Sequence, residues 1–386
     1  MSGRRRFFLI AGEPSGDRLG GALMAGLREL LPEGVEFSGI GGPEMAAEGL
    51  SSLFPMSDLS VMGLAEVLPR YRQLKRRIRE AADAAIAARA DALITIDSPD
   101  FCLRVARLVR GACPGLRTIH YVAPSVWAWR AGRAERMARV IDHVLALLPF
   151  EPPLMRAAGM TCDFVGHPVV AEPQPAPAEI AAFRMRHGLD NAVPLLLALP
   201  GSRRGEVTRL APRFGAAIAR FAAAHPDCRV VLPMAAPVAG LVRRETAAWP
   251  VQPLLLDPST GDGAEKRAAF AAADLALAAS GTVSLELAAG GTPMVIAYDM
   301  NPLSRAILKR ALKIDTVTLV NLVSESRAVP EFLGRECRPG NIAAGLEQVL
   351  AAPEAQHAAS EITMERLGRG GEAPGLRAAR SVLGVL

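Results

Sequence analysis

Leu275-Ala276-Leu277-Ala278-Ala279-Ser280-Gly281-Thr282-Val283-Ser284-Leu285-Glu286 carries the plan of the fold in one short run. Leu275–Ala279 is apolar and brief, as a strand buried on both faces of a parallel sheet must be. Ser280-Gly281-Thr282 is a turn of small residues, and Val283–Ala289 reads as a helix. Such a turn aims unpaired backbone N–H groups and the positive end of a helix dipole beyond the strand, which suits a phosphate. Glu286 stands about one turn into that helix, where a carboxylate accepts two ribose hydroxyls. The pattern recurs: the apolar run Leu195–Leu199 leads into Pro200-Gly201-Ser202-Arg203-Arg204-Gly205. Two strand–turn–helix units aimed at one anion are far less expected by chance than one.

The alternation extends along the chain. Strands are expected near Phe7–Ala11, Glu36–Ile40, Ala92–Ile96, Thr118–Val122 and Val144–Leu148, then near Leu195–Leu199, Arg229–Leu232, Val251–Leu256, Leu275–Ala279 and Pro293–Ala297. Helical patterns fall between them, including Asp17–Leu31, Leu74–Arg89, Phe101–Arg110, Glu206–Ala224 and Lys266–Ala273. Strict alternation of this kind predicts an α/β fold of parallel sheets covered by helices on both faces. Glu172-Pro173-Gln174-Pro175-Ala176-Pro177 looks like a semi-rigid linker. The division expected is a Rossmann-like domain over 1–168, a linker over 169–190, a second Rossmann-like domain over 191–352, and a helical tail over 353–386 that packs back on the first domain. Ligands of open parallel sheets sit beyond the carboxyl ends of the strands, so two such domains are expected to face each other across a cleft.

Composition narrows the function classes. Half of the 386 residues are apolar and 22% are charged, the balance of a globular enzyme. The formal charge of +5 is too modest to argue for nucleic acid and is compatible with phosphate-bearing or acidic-lipid partners. Five scattered cysteines without a Cys-x-x-Cys pair fit a reducing cytoplasm and exclude a disulfide framework. After Arg4-Arg5-Arg6 the apolar run Phe7–Ala11 is too short for a signal-peptide core, and no uninterrupted apolar stretch reaches membrane-spanning length. The six histidines lack zinc spacing and no Asp-x-Asp occurs, so neither a metal nor a cofactor is expected.

The remaining candidates lie at expected strand ends. Asp97 closes Ala92–Ile96 and is read as a general base; Ser98, Pro99 and Asp100 after it suit an N-cap, a first helical position and a first turn. Gly12-Glu13-Pro14-Ser15-Gly16-Asp17 lacks the spacing of a dinucleotide fingerprint. Turn formation and capping by Asp17 account for most of it, with Glu13, Ser15 and Gly16 as acceptor contacts in the alternative. His120-Tyr121-Val122-Ala123-Pro124-Ser125-Val126-Trp127-Ala128-Trp129-Arg130 gathers aromatics after a strand, either as packing or as a cleft lining that includes His120 and Trp127. His167, in Gly166-His167-Pro168, is a hinge or a nucleotide contact. Over Leu59–Arg79, Val61, Met62, Leu64, Val67 and Leu68 adjoin Arg72, Arg76 and Arg79. That segment is a solvated helix face or an interfacial patch for anionic lipid. Arg305, Lys309, Arg310 and Lys313 form a second basic stripe.

Taken together, Gly12–Asp17, Ile96–Phe101, His120–Arg130, Leu147–Phe150 with Glu151, Gly166–Pro168, Gly201–Arg203, Ser280–Glu286 and Asn321 closely resemble the lipid-A-disaccharide synthase family, from about residue 7 to residue 350. The resemblance implies a bacterial transferase of the two-Rossmann, type B glycosyltransferase fold, acting in lipid A and lipopolysaccharide biosynthesis. It implies transfer from UDP-2,3-diacylglucosamine to 2,3-diacylglucosamine 1-phosphate, with inversion, giving a β(1→6) disaccharide and UDP. By position, Asp97 matches the base and Arg203 the arginine that steadies the diphosphate. Gly201, Ser202, Ser280, Gly281, Thr282, Glu286 and Asn321 match donor-site positions. Leu59–Leu68 matches an apolar surface that faces the membrane, which places the enzyme peripherally on the cytoplasmic face of the inner membrane. A homodimer stays open. The rivals are another UDP-N-acetylglucosamine transferase or epimerase of the same fold, and a non-catalytic UDP-sugar-binding peripheral membrane protein.

Overall fold

Apolar runs that end in small-residue turns have one stable arrangement, with helices returning each strand to lie parallel beside an earlier one. A computed structural model shows this twice; it describes residues 4–59, 64–127, 132–189, 193–258, 263–300 and 315–386, with the side chains of 64–71 left out. The chain divides into two units, Met1–Ala171 with Leu367–Leu386, and Glu172–Arg366.

The first unit contains β1 (Arg5–Ala11), β2 (Val35–Ile40), β3 (Ala92–Ile96), β4 (Arg117–Tyr121), β5 (His143–Ala146) and β6 (Thr161–Phe164), in the order β2-β1-β3-β4-β5-β6. All five pairings are parallel. Alternate residues of β1 serve opposite faces. Phe7, Leu9 and Ala11 pack with the helices Pro14–Leu30 and Pro374–Gly384, and Phe8 and Ile10 with the helices Leu64–Ala87 and Pro99–Ala112. Each fully buried Leu, Ile or Phe there contributes about 1.5–3 kcal/mol relative to exposure, which explains why the strand must be apolar on both sides.

The second unit contains β7 (Leu195–Leu199), β8 (Arg229–Pro233), β9 (Leu254–Leu256), β10 (Leu275–Ala278), β11 (Met294–Tyr298) and β12 (Glu331–Leu333). Their order, β12-β11-β10-β7-β8-β9, is again parallel throughout. Leu196 and Ala198 of β7 pack against Val207, Leu210 and Phe214 of the helix Arg204–Ala224 and against Ile342 and Leu346 of the helix Pro339–Ala351.

Both orders reverse direction once. The reversal falls between β1 and β3 in the first sheet and between β7 and β10 in the second. At such a point the helices after the two central strands run to opposite faces, leaving a crevice beyond the strand ends where ligands of these sheets bind.

Two expected boundaries are corrected. The linker is shorter than 169–190, because Pro177–Arg186 is a helix of the second unit. Phe183 is buried there, and the Arg184 guanidinium donates to the Ala272 carbonyl (2.5 Å) and to Asp274 (3.3 Å). The tail is likewise not one piece. Glu354–Arg366 belongs to the second unit, where the Gln356 amide bonds both the N–H (2.8 Å) and the carbonyl (3.0 Å) of Met294. From Leu367 onward the chain belongs to the first unit, and Pro374–Gly384 lies along Pro14–Leu30.

Candidate functional site

In the second unit the turns after β7 and β10 flank the switch point, and they are the two turns singled out as phosphate-facing. Gly201 has φ +112°, where a Cβ would lie 2.6 Å from a Glu206 carboxylate oxygen. That closeness has a function in the turn. Glu206 accepts the backbone N–H groups of Ser202 and Arg203 (3.3 Å each) and lies 3.5 Å from the Arg203 guanidinium, whose side chain is 66% exposed. Tyr298, at the end of β11, directs its hydroxyl to the other Glu206 oxygen (3.5 Å). Burial, and then the Glu206 charge, push that phenol above its usual range. The β10 turn is braced from inside, where Ser284 Oγ donates to the Gly281 carbonyl (3.0 Å).

Glu286 is on the first turn of the helix Val283–Ala289, as expected, and its carboxylate meets Lys266 at 2.5 Å. Ser280 reaches the carbonyl of Val317 (3.5 Å), which brings a third loop to this turn. Glu331 holds that loop by accepting the N–H groups of Val317 (2.9 Å) and Thr318 (2.7 Å) and the hydroxyls of Thr316 and Thr318. Asn321 has a different task from the direct donor contact expected of it. It is 1% exposed, and its amide is spent on Thr316 and on both the N–H and the carbonyl of Val329. Its side chain fixes the loop.

In the first unit, Asp97 and Ser98 follow β3 directly. Both are left-handed, with φ +52° and +42°, a conformation that costs a non-glycine residue about 1–3 kcal/mol. Asp97 is half-buried, and its N–H remains bonded to the Tyr121 carbonyl of β4 (3.0 Å). Its charge is felt by the buried Cys102 thiol, which burial first and then Asp97 push upward. Ser98 occupies the N-cap position without making a side-chain cap, contrary to expectation, because its backbone is left-handed. Asp100 has a 95% exposed side chain, 3.6 Å from Arg133, and stands apart from Asp97 in role. Gly12, at the end of β1, is required by close approach, since a Cβ there would fall 2.5 Å from Ser98 Oγ.

The Glu13–Asp17 turn divides by residue. Asp17 does cap a helix, but the one at Pro43–Ala47, accepting the N–H groups of Gly42 (2.7 Å), Glu44 (3.0 Å) and Met45 (3.1 Å). Gly16 is buried beside Ile96, so Glu13 and Ser15 are the side chains left on the outer side. His120 is corrected outright as an acceptor contact. It is 1% exposed within β4, its Nδ1 is 2.7 Å from Thr95 Oγ1, and burial lowers it to about 4, so the ring is neutral packing. His167 is also held neutral at about 4 by burial; its Nδ1 accepts the Val169 N–H (3.2 Å), which supports the hinge reading over a nucleotide contact. Trp127 is half-buried and donates its indole N–H to Glu151 (3.3 Å). Trp129 lies outside the described residues.

Of the basic–apolar segment, Val61 and Met62 lie outside the described residues, as does the stripe Arg305–Lys313; Leu64, Val67 and Leu68 are on the helix Leu64–Ala87 without described side chains. Arg72, Lys75, Arg76 and Arg79 share one helix face and line an open groove of about 680 Å³ with Leu53, Glu80 and Asp83. Arg77 is turned inward, paired with Asp58 (2.6 Å) and Glu80 (2.8 Å) and stacked on Phe54. Among the described residues no helix is long and apolar enough to cross a membrane, and no three His, Cys, Asp or Glu side chains gather as metal donors.

Sequence reading missed Glu206, Lys266, Tyr298 and Glu331 as site residues, and had Glu151 only as part of a family motif, without a role. The one local signal was Glu206, three residues past Arg203, the spacing at which a glutamate caps its own helix.

Comparison with known proteins separates the rivals. Residues 7–373 match the profile of a family described as Lipid-A-disaccharide synthetase. A Lipid-A-disaccharide synthase of Ruegeria pomeroyi is 67% identical over 382 residues, covering 98% of this chain and 94% of that one. Among solved structures, UDP-GlcNAc 2-epimerase from Neisseria meningitidis bound to UDP-GlcNAc matches with TM-score 0.63 at 12% identity, covering 98% of this chain and 98% of that one. Acinetobacter baumannii MurG matches with TM-score 0.55 at 14% identity, over 99% of each chain. The fold is therefore common to transferases and epimerases, and at such low identity the likeness speaks of the fold alone.

Proposed function

The chain belongs to the lipid-A-disaccharide synthase family, and from that premise we propose how its two units share the reaction. The enzyme is a hexosyltransferase. The sugar of UDP-2,3-diacylglucosamine passes to the 6-hydroxyl of 2,3-diacylglucosamine 1-phosphate, giving a β(1→6)-linked disaccharide 1-phosphate and UDP.

The second unit takes the donor. Backbone N–H groups of the Ser280–Thr282 turn receive the diphosphate beside the Gly201–Arg203 turn, whose Ser202 and Arg203 N–H groups Glu206 holds, and the exposed Arg203 guanidinium stabilises the charge that builds up as UDP departs. Glu286 accepts the ribose hydroxyls, with Lys266 keeping its carboxylate aimed. The first unit supplies the base. Asp97 takes the proton of the 6-hydroxyl while that oxygen bonds the anomeric carbon and the bond to UDP breaks on the opposite face, which inverts the centre. Glu13, Ser15 and Trp127 border the acceptor sugar.

Both substrates carry acyl chains, so the enzyme draws them from a bilayer. Arg72, Arg76 and Arg79 meet anionic headgroups, with Leu53 at the apolar edge, on the cytoplasmic face of the inner membrane. The observation that carries the reading is the coincidence of the motif turns with the switch points of both sheets. Its test is UDP release from purified protein given acylated or non-acylated UDP-glucosamine, with and without the lipid acceptor. Release that needs both the acylated donor and the acceptor is expected; release indifferent to either sinks the reading.

A further inference from the structure

Glu151 is an acid that the reaction above does not use. It stands just past β5 at the start of the helix Pro152–Ala157, with 4% of its surface exposed. Both carboxylate oxygens are engaged: Oε1 accepts the indole N–H of Trp127 (3.3 Å), and Oε2 accepts the backbone N–H of Leu148 (3.0 Å). Phe150 sets its ring against the same indole, with centroids 5.4 Å apart and planes at 83°. Trp127 ends a stretch that begins at Val122, a β-branched residue at φ +82°. That stretch leaves β4 immediately after Tyr121, whose carbonyl holds the N–H of Asp97. One end of the segment is therefore anchored beside the base, and the other end is tied by Glu151.

N–H donors aimed at both oxygens favour the ionised carboxylate. Protonation gives one oxygen an O–H that needs an acceptor of its own and weakens that oxygen's hold on the donor it faces. We propose that Glu151 is a positioning residue of the transfer: its ionised carboxylate fixes the Trp127 indole, and with it residues 122–127 next to Asp97, in the arrangement that receives the acceptor sugar. This rests on Trp127 bordering the acceptor. Burial holds the carboxyl up to about 7. The groups facing it are the Trp127, Leu148 and Leu147 donors and, on β6, the Cys162 thiol, itself pushed up to about 12 by burial and by Glu151. Arg156, on Glu151's own helix, is directed to the Cys162 carbonyl (2.6 Å) and toward Asp163 (3.9 Å). The tie is strongest above that value and weakens as pH falls below it.

The experiment is steady-state kinetics on the full chain with the lipid acceptor varied at fixed donor, then the reverse, for wild type, Trp127→Ala, Glu151→Gln and the double variant. Gln keeps the shape but turns an N–H₂ toward one of those donors. Glu151→Gln is expected to raise the acceptor KM on the order of 10-fold and leave the donor KM within about 2-fold. It should add little on top of Trp127→Ala, since both act through one indole. An unchanged acceptor KM for Trp127→Ala removes Trp127 from the acceptor side, and the reading beneath this inference with it. A raised KM for Trp127→Ala with none for Glu151→Gln, or fully additive effects, overturns the positioning role alone. Should Glu151→Gln fail to fold, wild type decides: acceptor kcat/KM must climb between about pH 6 and about pH 8, and a flat profile overturns the proposal.

Discussion

The two switch points make the same kind of turn with opposite materials. Beyond β7 and β10 the left-handed residues are Gly201 and Gly281, whereas beyond β3 they are Asp97 and Ser98. In the second unit the ligand is to be met by the main chain, so a residue without a side chain gives closest approach at least strain. In the first unit the proposed mechanism asks a side chain to do the chemistry, and there the fold tolerates a strained aspartate. Strain of this kind persists only where surrounding bonds over-determine it. Here they are the Asp97 N–H to Tyr121 and the close contact of Gly12 with Ser98.

The sharpest way to break this contrast is at Asp97. Asp97→Asn should lower turnover about 10²–10⁴-fold and leave UDP binding unchanged. Asp97→Gly should be equally inactive yet more stable by about 1 kcal/mol, because glycine relieves the left-handed strain. Retained turnover in the first variant, or a loss of stability in the second, would separate strain from function. On the other side of the comparison, Arg203→Ala should cost about 10²-fold in kcat, read as UDP release at saturating donor, with little change in melting temperature for so exposed a side chain.

The units should also part company in acid. His120 and His167 of the first unit are held near 4 by burial, below their usual value of about 6.5. Between those values the unfolded chain binds protons that the two folded histidines refuse, so stability declines as pH falls from about 6.5 toward about 4; Glu151, held up to about 7, takes a proton in the folded state and offsets part of that decline. Asp142, lowered by Arg110 and Thr118 against the opposing effect of burial, adds to the loss lower still. Hydrogen exchange across that window should find the first unit opening before the second; simultaneous opening would refute the assignment. The smallest effect per residue belongs to the basic face. Replacing Arg72, Arg76 and Arg79 with Glu should release the protein from anionic vesicles, at about 1 kcal/mol for each charge removed, and the binding that remains should no longer weaken with salt. Co-sedimentation equal to wild type would make that helix face merely solvated.

How far the chain was legible depended on burial. β7 and β10 are apolar throughout, β3 is apolar but for Thr95, and all three announced themselves. The short edge strands β6, Thr-Cys-Asp-Phe, and β12, Glu-Phe-Leu, did not, because runs of four and three residues that include Asp163 and Glu331 carry little apolar signal, whereas the edge strands β2 and β9 were legible. His120 was left open between packing and cleft lining through its proximity to the tryptophans, and pairing with Thr95 of β3 favours packing.

Strand, turn and helix were fixed locally, by apolar runs and small residues whose conformational preferences act within a few positions, and these set the sheets and the turns that bear Asp97, Arg203 and Ser280. The partners of those turns came from elsewhere in the chain: Tyr298 to Glu206, Lys266 to Glu286, Glu331 to the Val317 loop, Glu151 to Trp127. Only the packed tertiary structure chose them, because a hydrogen bond depends on where two backbones end up in space and leaves no periodic trace along the sequence.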